Sequence, residues 1–250
     1  MEALREAAKL LAPCETLVVF SGAGVSAESG LATFRGAGGL WEGHRVEEVA
    51  TAEAFARNPD LVWRFYAQRR EKARSAQPNA AHLAIAAFQG LFLSLVVVTQ
   101  NVDGLHQRAG SRDVVELHGS LWTLVCTSCA AQRQDYQVPF PVLPPTCPRC
   151  GGLERPGVVW FGEELPPEAW YRAESVCSHV DGMLVVGTSG LVWPAAGLVE
   201  LASHCGARIV EVNPEPSALS SLANLHLPLR AGEVLPSLLS KLRELRNASV

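Results

Sequence analysis

Apolar residues fall along this chain into short unbroken runs, separated by stretches in which they recur every three or four positions. The runs cover residues 16–20, 95–99, 114–117, 158–160, 183–186 and 208–212, and are rich in β-branched side chains. Most lack alternation, as strands of a parallel sheet do when helices cover both faces. Between them the spacing predicts helices over 59–73, 79–89, 194–205 and 233–246, the third opening on Pro194 at a first-turn position. Residues 1–11 form a further amphipathic stretch. Strands alternating with helices predict a doubly wound, Rossmann-like α/β sheet.

One segment breaks the rhythm. Residues 126–152 hold four cysteines, a linker rich in proline (Pro139, Pro141, Pro144, Pro145) and little helical periodicity. They read as a small metal-organised module inserted into the α/β domain. No internal repeat is visible.

Composition narrows the function classes. With 250 residues and 48% apolar content, the chain suffices for one large domain, alone or with a small insert. The net charge of −4 is spread along the sequence, and no basic block suggests a nucleic-acid surface. The longest apolar run, 91–98, is interrupted by Ser94 and too short to cross a bilayer. Residues 1–11 carry Arg5 and Lys9 but no apolar signal core. A soluble cytoplasmic protein, without membrane or nucleic-acid partners, is the expectation. Seven cysteines, an odd number with four in close pairs, fit metal binding in a reducing compartment.

The cysteine pairs are the strongest chemical signal. Cys126/Cys129 and Cys147/Cys150 are CxxC pairs separated by seventeen residues, with Gly151-Gly152 suited to a tight knuckle. Four thiolates on one zinc leave no open position, so such an ion is structural. Redox CxxC motifs or free thiols are the other readings.

After the first run, Gly22-Ala23-Gly24-Val25-Ser26-Ala27 matches G-x-G-x-x-G/A at a strand-to-helix turn. Glycines there let backbone N–H groups approach a pyrophosphate at a helix N-terminus, although a ligand-free tight turn has the same pattern. A dehydrogenase of this type places an acidic residue on a second strand about twenty residues on. Here that stretch, 32–41, is glycine-rich and unlike a strand. Three further polar clusters follow runs, where ligand crevices open in parallel sheets. They are Gln100-Asn101-Val102-Asp103, Gly187-Thr188-Ser189 and Asn213-Pro214-Glu215. His118, in Glu116-Leu-His-Gly-Ser120, has the setting of a general base or of a structural histidine. His82, His106 and His179 have no comparable setting, and His106 is the next candidate base.

Together these elements resemble the sirtuin family. The resemblance runs in order through Gly22-Ala-Gly-Val-Ser26, Thr33-Phe-Arg-Gly36, Gln100 to Asp103, His118-Gly119, the four cysteines, Phe161-Gly-Glu163, Gly187 to Ser189 and Val212-Asn213. It implies a dinucleotide-binding part, about 1–35, 90–120 and 156–250. It also implies a small domain with a helical part, about 36–89, and a zinc module, about 121–155. NAD enters as co-substrate and one zinc ion as structural metal.

The residues implied on the NAD side are Gly22, Ala23, Gly24, Ser26, Ala27, Thr33, Phe34, Arg35, Trp41, Gln100 to Asp103, Gly187 to Ser189, Asn213, Pro214, Glu215 and Ala231. His118 is the implied base, and Asn101 a catalytic partner. In the family reaction the acyl oxygen attacks the anomeric carbon of the nicotinamide ribose, nicotinamide leaves, and lysine and O-acyl-ADP-ribose are released. An acylated-lysine peptide would pair as a strand between Trp160–Glu163 and Gly190–Trp193, with Val159, Trp160, Phe161, Gly162, Glu163 and Leu191 the implied substrate contacts. A monomer is expected.

Phe65-Tyr66-Ala-Gln-Arg69 resembles the Tyr-x-x-Arg signature of sirtuins that remove succinyl, malonyl and glutaryl groups. Tyr66 and Arg69, three apart on a helix, share a face. Ala50 matches a small residue that widens the acyl pocket. A plain deacetylase, a mono-ADP-ribosyltransferase and a non-catalytic NAD-binding module are the alternatives.

Overall fold

The computed structural model of the protein describes residues 2–33, 40–41 and 44–247. Helix α1 (Glu2–Leu11) turns Ala7, Ala8 and Leu11 inward and leads into β1 (Thr16–Ser21), buried after its first residue. A 3-10 segment, Ala23–Ser29, follows at once. Strands β2 (Leu40–Trp41) and β3 (His44–Arg45) make a minimal antiparallel pair.

Helices α2 (Val46–Val49), α3 (Ala52–Arg57) and α4 (Pro59–Ser75) come next. The sequence punctuates them clearly. Thr51 accepts from Ala54 N, Asn58 accepts from Leu61 N, and Pro59 sits where its missing N–H has no intrahelical partner to lose. Asn79 likewise caps α5 (Ala80–Phe88), which leads to β4 (Ser94–Thr99), α6 (Leu105–Arg108) and β5 (Val114–Glu116).

The chain then builds β6 (Gly119–Cys126), β7 (Gln132–Gln134) and β8 (Glu154–Val158), an antiparallel sheet in the order β7-β6-β8. It closes with α7 (Pro167–Cys177), β9 (Gly182–Val186), α8 (Gly197–His204), β10 (Arg208–Val212), β11 (Leu225–Leu227) and α9 (Ala231–Asn247).

Six strands form one parallel sheet in the order β11-β10-β9-β1-β4-β5. Alternate residues of each strand supply two cores, as the two-residue period of a strand dictates. Leu17, Val19, Val97, Leu184 and Val210 pack with Ala7 and Leu11 of α1, Ile85 and Phe88 of α5, and Leu235 and Leu238 of α9. Val18, Phe20, Val96, Val98, Met183 and Ile209 face Ala173 and Cys177 of α7 and Leu198 and Val199 of α8. The sheet is therefore doubly wound. Among the described residues no helix is long and apolar enough to cross a membrane.

A third core stands apart. Phe55, Trp63, Phe65 and Tyr66 of the helical part pack with Leu121, Trp122, Leu124 and Trp160. Arg70 fastens α4 to the cysteine-bearing sheet. Its guanidinium is buried between the rings of Trp122 and Phe140, binds the Asp135 carboxylate at 2.7 Å and donates to the Leu121 carbonyl. Burial lowers its pKa while Asp135 opposes the shift. The ion pair and the carbonyl contacts of its two terminal nitrogens offset the cost of burying such a cation, while Nε has no hydrogen-bond partner among the described residues.

Four expectations change. The run at 158–160 is no strand of the parallel sheet: the strand ends at Val158 and pairs antiparallel with β6, because this apolar stretch is the return from the cysteine module. Helix α5, assigned to the small part, packs into the sheet's own core through Ala81, Ile85 and Phe88. Pro194 sits in a turn, with Gly197 N donating to its carbonyl, and α8 begins only at Gly197. Strand β11 is additional, a three-residue edge strand interrupted by His226.

Candidate active site

From β1 the chain moves to β4 on one side, whereas from β9 it moves to β10 on the other. Such a switch point opens a crevice at the carboxyl ends of the strands. Here it holds a cavity of about 1000 Å³.

The crevice floor is backbone against backbone. Gly22 N donates to Val186 O and Gly24 N to Gly187 O. A Cβ on Gly24 would lie 2.7 Å from Gly187 O, and Gly187 has φ +59°. Only glycine fits such an approach. Gly22, Ala23 and Gly24 thus line the cavity with nothing larger than a methyl group, which leaves a pyrophosphate room to approach the main chain at a helix N-terminus. On this observation the residues fit NAD.

Polar side chains at the strand ends hold one another. Ser26 Oγ donates to Asp103 Oδ2 at 2.8 Å, and Asn101 Nδ2 donates to Ser26 Oγ at 3.2 Å. The other Asp103 oxygen accepts from Leu105 N, and Trp122 Nε1 donates to the Asp103 carbonyl. Gln100 Nε2 reaches Thr188 Oγ1, and Asn213 Nδ2 donates to the Thr188 carbonyl. Asn101 and Asp103 are buried and arrive pre-oriented, so a ligand meets fixed dipoles.

His118, between β5 and β6, lines the same cavity and is half-buried. Its Nδ1 lies 3.1 Å from the Gln100 carbonyl. A carbonyl only accepts, so Nδ1 carries the proton and Nε2 keeps its lone pair. Burial lowers the His118 pKa, and the bond to Gln100 opposes this. His106 is 1% exposed, with Nε2 bonded to Ser21 Oγ, and burial drives its pKa down to about 3. It does not reach the cavity, which removes it as the alternative base.

The opposite wall belongs to the third core. Ala50, Tyr66 and Arg69 line it, with Trp160 beside them. Trp160 Nε1 donates to the Tyr66 hydroxyl at 3.0 Å, and burial pushes the Tyr66 pKa up to about 12. Phe161 N donates to Ala50 O, joining this wall to the loop 159–163. Val159, Phe161, Gly162, Glu163 and Leu191 line the mouth, and Phe161 and Leu191 stand exposed there.

A second cavity of about 410 Å³ adjoins the first through Gly24, Thr33, Gly187 and Asn213. Ala27, Pro214 and Ala231 line it. Glu28 joins them while its carboxylate accepts from Gly232 N in the first turn of α9. Lining neither cavity, the Sγ atoms of Cys126, Cys129, Cys147 and Cys150 all lie within 4.8 Å of one another, with two separations of 3.5 and 3.8 Å. Tetrahedral zinc with bonds of about 2.3 Å needs separations of roughly 3.8 Å. The thiols fit one structural zinc ion.

The Sir2 family model matches residues 22–194, a span that contains the glycine turn, the polar cluster at 100–103, His118 and all four zinc-type cysteines. This chain belongs to the Sir2 family. It is 54% identical to NAD-dependent protein deacylase 2 of Pyrobaculum aerophilum, with 94% of each chain covered. Its fold is similar to a Sir2 homologue solved in complex with NAD (TM-score 0.91, 45% identity, 96% of this chain and 94% of that one). It is also similar to Sir2Af2 bound to a myristoylated histone peptide (TM-score 0.81, 36% identity, 99% of each chain).

Against this Sir2 frame, most of the residues singled out in the sequence meet at the two cavities. Val102, Thr33 and Ser189 line the larger one. Glu215 does not: it is exposed, and the chain turns away from the cavity after Pro214. Phe34 and Arg35 lie outside the described residues, and of Trp41 only the backbone is described. Several lining residues escaped the sequence reading. Lys72 and Ala73 follow Arg69 and Tyr66 at helical spacing, a signal that was available. Leu121, Val158 and Arg230 have no local signal, because only the tertiary fold brings them there.

Proposed function

We propose that this chain is an NAD-dependent protein deacylase acting on lysine side chains, and that it prefers acyl groups ending in a carboxylate: succinyl, malonyl and glutaryl. The deacylase activity is supported by family membership over residues 22–194 and by a relative of that name at 54% identity. The acyl preference rests on one observation. Tyr66 and Arg69, one turn of α4 apart, line the same cavity as His118, facing it from the other core. A guanidinium fork and a phenol hydroxyl match a carboxylate better than a methyl group.

NAD, when bound, supplies the ribose carbon that accepts the acyl oxygen. Gly22, Ala23 and Gly24 cradle its pyrophosphate. Asn101 and Asp103 orient the nicotinamide end, and Asn213 and Ser189 hold the adenosine half. His118 takes a proton from a ribose hydroxyl at Nε2, the nitrogen left bare by the Gln100 contact. The peptide enters as an extended strand between residues 160–163 and 190–193, so main-chain hydrogen bonds give affinity with little sequence selectivity.

The test is mass spectrometry of the products from NAD and a panel of acyl-lysine peptides. Succinyl, malonyl and glutaryl peptides should turn over with higher kcat/KM than acetyl, each yielding nicotinamide and the matching O-acyl-ADP-ribose. Preference for acetyl, or for a long apolar chain like the one bound by Sir2Af2, would replace the carboxylate reading. Label from NAD left on protein would replace deacylation by ADP-ribosyl transfer.

A further inference from the structure

A tyrosine hydroxyl has one proton to donate and lone pairs to accept with, whereas an indole N–H only donates. The bond between Trp160 Nε1 and the Tyr66 hydroxyl therefore has one direction: Trp160 gives and Tyr66 accepts. The Tyr66 proton must then go elsewhere. Among the described residues no hydrogen bond takes it, and Tyr66 is one of the residues that line the large cavity. The phenol keeps that proton at any working pH, because burial raises its pKa to about 12.

Trp160 is itself held fast. It is 3% exposed, with the Arg155 guanidinium 3.5 Å above its ring and the Phe55 ring 5.4 Å away. Glu163 accepts from Trp160 N at 2.8 Å and grips Arg155 with both oxygens. The indole thus cannot turn to follow the phenol, and the direction of the bond is set from the loop side.

We propose that Trp160 is a specificity-positioning residue: by occupying an acceptor lobe of Tyr66 it turns the Tyr66 hydroxyl into a dedicated donor aimed at the far end of the acyl chain. The wall then offers donors to that end, from Tyr66 and from Arg69, and suits an acyl terminus made only of acceptors, which a carboxylate is. A methyl terminus leaves the Tyr66 hydroxyl without an acceptor. This rests on the carboxylate-ended reading above and supplies the reason that Tyr66 takes part in it.

The experiment has two arms. In the first, the indole proton resonances of nitrogen-labelled protein are recorded, and that of Trp160 is identified by its loss in Trp160→Phe. Tyr66→Phe should move this resonance upfield, because it removes the acceptor. An unmoved resonance overturns the proposal whatever the acyl preference. In the second, kcat/KM is measured for succinyl- and acetyl-lysine peptides in wild type, Tyr66→Phe, Trp160→Phe and the double variant.

Each single change should lower the succinyl-to-acetyl ratio by about threefold to tenfold, the worth of one hydrogen bond, through the succinyl KM. The double variant should fall no further than the lower single, because Trp160 acts through Tyr66. Equal falls for both peptides in Trp160→Phe, or multiplying effects in the double variant, would make Trp160 a packing residue and overturn the proposal. A wild-type ratio above one that Arg69→Met abolishes while the Tyr66 and Trp160 variants keep it would spare the carboxylate reading and sink this one. A wild type that prefers acetyl would sink both.

Discussion

The two walls of the active cavity are made of different materials. The sheet wall is bare main chain and short polar groups, Gly22, Gly24, Ser26, Asn101 and Asp103, each satisfied by a near neighbour before any ligand arrives. The opposite wall is long and aromatic side chains, Tyr66, Arg69 and Trp160, projecting from a separate core. The first leaves little room for change: a methyl group on Gly24 meets Gly187 O at 2.7 Å. On the proposed reading the second tolerates exchange, because its side chains would meet the far end of the acyl chain and not its reacting atoms. Chemistry and acyl choice would then be carried by parts of the molecule that can vary separately.

The largest test of that separation is at the zinc site. Cys126→Ser should bring zinc from one per chain to none and unfold the module that anchors α4 through Arg70, with loss of all activity, because metal binding and folding of such modules are coupled. Metal analysis and circular dichroism read this out. A metal-free variant with full activity would mean that the acyl wall stands without its support. Next, His118→Ala should lower kcat by about two to four orders of magnitude on every acyl peptide alike, the usual loss for a general base. NAD binding, followed by calorimetry, should persist.

Arg69→Met should do the converse. The succinyl-to-acetyl ratio should drop roughly tenfold to a hundredfold, the worth of one charge-assisted bond. The fall should come through the succinyl KM, since the contact exists in ground and transition states alike. A change in acetyl kcat as large as that in succinyl KM would merge the two walls into one.

The smallest effect is in pH. Burial holds His118 below the usual value of about 6.5, and a base must be neutral to act. Activity should therefore be full above that value and fall only on acidification beyond it. A limb in kcat/KM centred above 6.5 would place the essential base elsewhere.

How much of this was legible in the sequence follows the same division. The glycine turn, the polar cluster 100–103 and the cysteine pairs lie on short contiguous segments, where spacing alone encodes a tight approach or a tetrahedral ligand set. Tyr66 and Arg69 were legible through the resemblance to the Tyr-x-x-Arg signature, and Lys72 and Ala73, at helical spacing from them, were within reach of periodicity. What escaped depends on partners distant in the chain. The apolar run at 158–160 looks the same whether it belongs to the parallel sheet or ends a strand paired with β6. Nothing local in α5 says that it packs on α9 and not on α4. The Trp160 to Tyr66 bond spans 94 residues and has no signature at either end.

The separateness of the cores has a mechanical consequence. Among the described residues the chain passes from the Trp63–Trp160 core to the cores of the sheet at 73–81, 117–121 and 160–173. A substrate bound in the cavity touches both bodies at once and acts as a strap across that seam. Binding should therefore do more than fill space: it should fuse two folding units into one cooperative unit, with heat denaturation of the loaded protein sharper than that of the empty one.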